Sequence, residues 1–118
     1  MEYIVLAFED EDGFAARDDQ ARAAEYWSSW NGYIEALTSS GVLSSAGGLD
    51  GPVTSTTVRV RDGQRLVQDG PFADTKEQLG GYFVIDVPDL TAALDWAERC
   101  PAARYGSVEV RPLLRPMR

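Results

Sequence analysis

The sequence predicts one α+β domain, a four-stranded sheet of split β-α-β type with two helices on one face. Three observations lead there: two hydrophobic segments that are apolar at every position, two segments with helical apolar spacing, and their alternation along the chain. At 118 residues there is room for one hydrophobic core, so residues 1–118 are read as one domain.

Tyr3 to Phe8 is apolar on both alternate faces, as in a central strand covered on each side. The acidic stretch Glu9 to Asp18 reads as a solvated loop in which Phe14 is the one large apolar residue, an anchor for the loop. Ala23, Tyr26, Trp27, Trp30, Ile34 and Leu37 recur at spacings of three and four, predicting a helix between Asp19 and Ser40. Asp18 or Asp19 can cap its start, and Gly41 suits the left-handed residue after its end. Its aromatic stripe serves either a packed core or the wall of a ligand cavity.

A short extended piece near Val42 to Ser45 and a Gly/Pro-rich link lead to Thr54–Arg61 and Gln64–Gln68, which flank Asp62-Gly63, the preferred two-residue hairpin turn. This hairpin is expected to elaborate the second core strand. Asp69-Gly70-Pro71-Phe72 follows as a turn, and Asp74 and Glu77 have capping-box spacing that predicts one helical turn. Tyr82 to Val87 is a second central strand. Pro88-Asp89 caps a second helix with Leu90, Ala93, Leu94 and Ala97 on its buried face, stopped by Pro101. Ser107–Arg111 is the last strand, with Val108 and Val110 on one face. This order is ferredoxin-like. Two helices cover one face of the sheet, so the other needs a partner, and a second copy making a dimeric α+β barrel is the economical solution.

Composition narrows the chemistry. The apolar fraction of 44% is that of a globular chain, and a net charge of −8 argues against nucleic acid or an anionic membrane as partner. No run is long and apolar enough to span a bilayer and no basic leader opens the chain, so a cytoplasmic location is expected. Cys100 is the only cysteine and is read as a buried, inert thiol. The chain contains no histidine, which removes imidazole zinc or haem ligation and a histidine base. No metal site or cofactor is expected, and neither a Walker loop nor a dinucleotide fingerprint is present.

The stretch from Thr57 through Asp62-Gly63 and on through Val67-Gln68-Asp69-Gly70-Pro71-Phe72-Ala73-Asp74-Thr75-Lys76-Glu77-Gln78-Leu79-Gly80-Gly81-Tyr82 resembles the signature of the DGPF group of the YCII-related family. The ending Gly106 to Pro112 is similar to that family's closing strand. The resemblance implies a small bacterial dimeric α+β barrel with no established reaction, its genes often beside those of extracytoplasmic-function sigma factors. In better studied relatives a histidine near the start of the first helix and an aspartate before a proline after the second are proposed as a catalytic pair. This chain lacks the histidine and has Cys100 before Pro101.

Three readings of function follow. One is a homodimer that binds a small polar or anionic molecule or acts in regulation. Another is a metal-free, cofactor-independent enzyme of oxygenase or isomerase type, and a weaker third is a sigma-factor accessory. Candidate ligand contacts are Arg59, Asp69, Phe72, Lys76 and Tyr82, with Trp27 and Trp30 from the aromatic stripe. No catalytic residue is assigned.

Overall fold

The computed structural model describes residues 1–115. Its main sheet is antiparallel, in the order β2-β5-β1-β6, formed by β1 (Glu2–Glu9), β2 (Leu43–Gly48), β5 (Gln78–Asp86) and β6 (Ser107–Pro112). The two segments apolar on both faces are the two central strands, as expected. Helices α2 (Ala23–Ser39) and α3 (Leu90–Arg99) cover one face. Short helices α1 (Glu11–Ala16) and α4 (Ala102–Tyr105) sit at the ends of β1 and α3.

The core lies between sheet and helices. Tyr3, Val5 and Ala7 of β1 and Phe83 and Ile85 of β5 meet Trp30, Tyr33 and Leu37 of α2 and Ala93 and Ala97 of α3. Trp30 stacks on Phe83 at 6.0 Å, and Tyr33 meets the same ring edge-on at 5.2 Å. The aromatic stripe is thus mainly core packing. Cys100 is fully buried, and burial pushes its thiol up to about 11. The opposite face of the sheet carries Ile4, Leu6, Tyr82 and Val84, half-buried, beside an exposed Glu109–Arg111 ion pair at 2.6 Å.

Several elements differ from expectation. Glu9 to Asp18 is not a loop: the Asp10 carboxylate accepts from Gly13 N at 2.9 Å and starts α1, a helix with too short an apolar stripe to show in the sequence. The long helix starts later than Asp19. There the Asp19 carboxylate accepts from Ala21 N, closing a turn before the helical ladder begins.

The second core strand is Leu43–Gly48, not the hairpin. Its serines, alanine and glycines give no hydrophobic signal, but an edge strand pairs through its backbone. Gly47 is required there because a Cβ would lie 2.6 Å from the Tyr82 ring. The hairpin, β3 (Thr56–Arg61) and β4 (Gln64–Asp69), is a separate two-stranded arm. Asp62 (φ 52°) and Gly63 (φ 73°) make its expected turn.

No helix forms at 74–77. Gln78 Nε2 donates to the carbonyls of Ala73 and Thr75, and these side-chain bonds close the loop instead. On α3 the small residues Ala93 and Ala97 bring the backbone close to the sheet and leave Leu90 and Leu94 half exposed at the margins. Among the described residues no helix is long and apolar enough to cross a membrane.

Candidate functional site

Along β1 the inward positions run Tyr3, Val5, Ala7 and then Glu9, a carboxylate on the buried face of a central strand. It is 1% exposed. A charge buried this deeply needs donors, and it has three. The Tyr26 hydroxyl donates to both oxygens at 2.8 and 2.9 Å, the Tyr105 hydroxyl to Oε2 at 2.9 Å, and Arg17 Nη2 to Oε1 at 3.2 Å. Gly13 and Gly80 make the room: a Cβ on either would come within 3.0 Å of a Glu9 oxygen.

Arg17 joins the surrounding elements. Its Nε donates to the Tyr26 hydroxyl at 3.0 Å, Nη2 also to the Gly80 carbonyl at 3.1 Å, and Nη1 to the Leu49 carbonyl. Its guanidinium lies 4.8 Å from the Phe14 ring centroid and 5.8 Å from that of Trp27. Phe14 is therefore half of a cation–π contact.

Burial is the largest influence on the phenols. It pushes Tyr26 up to about 12, with the Arg17 hydrogen bond opposing and Glu9 adding to the rise. Burial and then the Glu9 charge raise Tyr105 above the usual phenol range. Burial alone would lower Arg17, but Tyr26 and Glu9 outweigh it and hold the guanidinium above its ordinary value. Both hydroxyls therefore stay protonated and donate to a fixed anion.

Beside this cluster opens a cleft of about 860 Å³. Its walls come from α1 (Phe14) and Arg17 just after it, the link after β2 (Asp50 to Val53), the segment after the arm (Pro71, Asp74 to Lys76) and the start of β5 (Gln78), with Glu9 lining it. Seven carboxylates line it, against only Arg17 and Lys76 as cations, and Arg17 is already paired. Such a wall favours a neutral or cationic guest over an anion. No grouping of three or more metal-type ligands occurs among the described residues.

Of the seven candidate contacts, only Lys76 lines this cleft. Trp27 stands outside it, donating from Nε1 to the Arg17 carbonyl at 3.1 Å, and Trp30 is core. Tyr82 lies on the open face of the sheet. Arg59 and Asp69 belong to the arm, and Phe72 is 78% exposed just beyond it. The Asp-Gly-Pro-Phe motif closes the base of the arm, with Gly70 at φ 94°, its N–H donating to Ser55 O at 2.7 Å and its carbonyl accepting from the Thr57 hydroxyl at 2.8 Å. A one-chain site joining Arg59, Lys76 and Tyr82 is not formed.

The residues that do converge, Glu9, Arg17, Tyr26 and Tyr105, lie outside that set. One signal was available. Glu9 continues the inward alternation of Tyr3, Val5 and Ala7, so a buried carboxylate needing partners was readable; its partners were not.

A four-stranded antiparallel sheet under two helices, with a polar cluster at the end of a central strand, defines a ferredoxin-like α+β domain with a cleft at one sheet end. The YCII-related domain model matches residues 1–117, and the chain belongs to that family. Uncharacterized protein R00369 of Rhizobium meliloti (strain 1021) is 36% identical over 118 residues, covering 96% of this chain and 92% of that one. A solved structure of 5-chloro-2-hydroxyhydroquinone dehydrochlorinase from Burkholderia phenoliruptrix AC1100, in complex with 2,5-dihydroxybenzoquinone, aligns over 98% of this chain and 96% of its own with a TM-score of 0.56. At 12% identity that likeness is one of fold.

Proposed function

We propose that the protein is a homodimer that binds a small polar molecule, neutral or cationic, in the cleft beside Glu9. The cleft itself carries this reading: about 860 Å³ is within the range of small-molecule sites, roughly 300–1,000 Å³. Behind its wall Glu9 is buried and held by three donors, so a guest meets the exposed carboxylates of the wall, Glu11, Asp18 and Asp74 among them, over a fixed negative charge. Dimerisation is supported by the half-buried apolar residues on the uncovered sheet face. The chain is also expanded, with a radius of gyration of 16.1 Å, against about 13.5 Å for a compact domain of this length.

A second reading, a metal-free enzyme acting on a quinol-like substrate, draws on the fold neighbour, whose structure holds a dihydroxybenzoquinone. The groups at the cleft itself able to exchange protons with such a substrate are its exposed carboxylates and Lys76, while Tyr26 and Tyr105 hold Glu9 and do not line it. Thermal-shift screening against amines, neutral polar metabolites and hydroxyquinones tests both readings. Binding at the cleft predicts a rise in Tm that is lost in Ala15→Trp, which fills the cleft wall at a residue without a polar side chain. A shift retained in that variant would place the guest elsewhere, and absorbance change of a hydroxyquinone without added metal would favour the enzyme.

A further inference from the structure

The β3–β4 arm has no core of its own. Its paired residues Val58 and Val67 are 58% and 56% exposed, Val60 is 62% exposed, and every residue of β4 is exposed. An isolated two-stranded hairpin is marginal in water, and such a valine face needs a cover. Its own body does not provide one, since among the described residues the arm makes no substantial contact with any helix or with the main sheet.

The charge on the arm indicates what covers it. Arg59, Arg61 and Arg65 cluster toward its tip, against Asp62 and Asp69, in a chain whose net charge is −8. Among the described residues none of the three arginines makes an ion pair. The cleft wall has the opposite imbalance, and its exposed Glu11, Asp18 and Asp74 likewise make none. A basic arm and an acidic wall on one chain, each lacking a counter-charge, are complementary between two copies. A strand of six residues spans roughly 20 Å, enough to overhang a neighbour.

We infer that the arm of each protomer inserts against the other with both faces in contact, Val58, Val60, Val67 and Arg65 on one and Arg59 and Arg61 on the other, so that its tip arginines lie at the partner's acidic cleft wall. The cleft is then completed in trans, and its guest sees less negative charge in the dimer than one chain presents. This rests on the dimer proposed above.

Sedimentation of a dilution series at about 50 mM and about 500 mM salt tests it, since salt screens exposed charges more strongly at the higher concentration. Wild type is expected to dimerise. The arm variant R59E/R61E/R65E should have a dimer Kd at least about tenfold weaker at low salt, a difference that narrows at high salt. The wall variant E11K/D18K/D74K should show the same weakening, and an equimolar mixture of the two should recover association through heterodimers. If circular dichroism finds the reversed arm variant unfolded, R59Q/R61Q/R65Q takes its place, with a smaller weakening expected. A wild-type dimer with arm variants that associate equally well, or a mixture that recovers nothing, overturns the arm inference and leaves the dimer standing. Monomeric wild type at every concentration overturns both.

Discussion

Replacing Glu9 by glutamine removes the charge that three side chains converge on while leaving the shape almost unchanged. The Glu9 and Arg17 side chains are 1% and 14% exposed, so the ion pair is largely desolvated and the guanidinium left behind cannot recover full hydration. Removing one partner of a buried pair costs about 3–5 kcal/mol. Arg17 keeps the Leu49 and Gly80 carbonyls, the Tyr26 hydroxyl and the Phe14 ring, which offsets part of that loss. A destabilisation of about 3 kcal/mol is expected, or a fall in Tm of roughly 10–15 °C for a domain of this size. Denaturant unfolding at fixed protein concentration measures it, with an unchanged slope showing that the unfolded state is not involved. The companion variants are Arg17→Leu and Glu9→Gln/Arg17→Leu. The double variant should be less destabilised than the sum of the singles by at least about 1 kcal/mol, because each single strands the other's charge. Glu9→Gln costing under about 1 kcal/mol, or strict additivity, would refute the reading of the cluster as a coupled buried pair.

Leu6→Asp places a carboxylate at the centre of the uncovered sheet face, between Tyr82 and Glu109, and should convert a dimer to the 12.9 kDa monomer by light scattering with the fold retained. Gly80→Ala should destabilise by about 1–3 kcal/mol, since its Cβ would meet both the Glu9 carboxylate and Arg17 at 3.0 Å; unchanged thermal unfolding would show that the cluster has slack. Alkaline pH should weaken the fold through Tyr26. Its folded value near 12 lies above the ordinary 10, so the folded state holds the proton more tightly, and the stabilisation is complete below pH 10 and lost as pH rises toward 12. Tyr26→Phe should make the loss over that window less steep, with Tyr33, Tyr105 and Cys100, which burial also raises, supplying the remainder; an unchanged slope in unfolding at stepped pH would assign the alkaline loss wholly to those other groups.

The sequence by itself determined the sheet's centre, its two covering helices, the hairpin turn and the family. Each depends on local patterning: unbroken apolar runs in β1 and β5, spacings of three and four in α2, and an Asp-Gly pair whose positive φ few other residues accept. The edge strand β2 showed in the sequence only as a short extended piece near Val42 to Ser45, and its place in the sheet stayed hidden because its Ser, Ala and Gly residues are recruited by backbone pairing to β5, which leaves no side-chain pattern. Helix α1 stayed hidden because six residues are too few to show a period. Only tertiary structure decided the site. Glu9, Arg17, Tyr26, Gly80 and Tyr105 come from five separate segments, and only Gly80 lies within the family signature. The burial of Glu9 was implied by alternation along β1, but its donors were selected by where α2, α4 and the turn before α2 come to rest on the sheet. A buried charge is paired by whichever donors the packing brings within about 3 Å, and that distance depends on contacts between segments up to 96 residues apart.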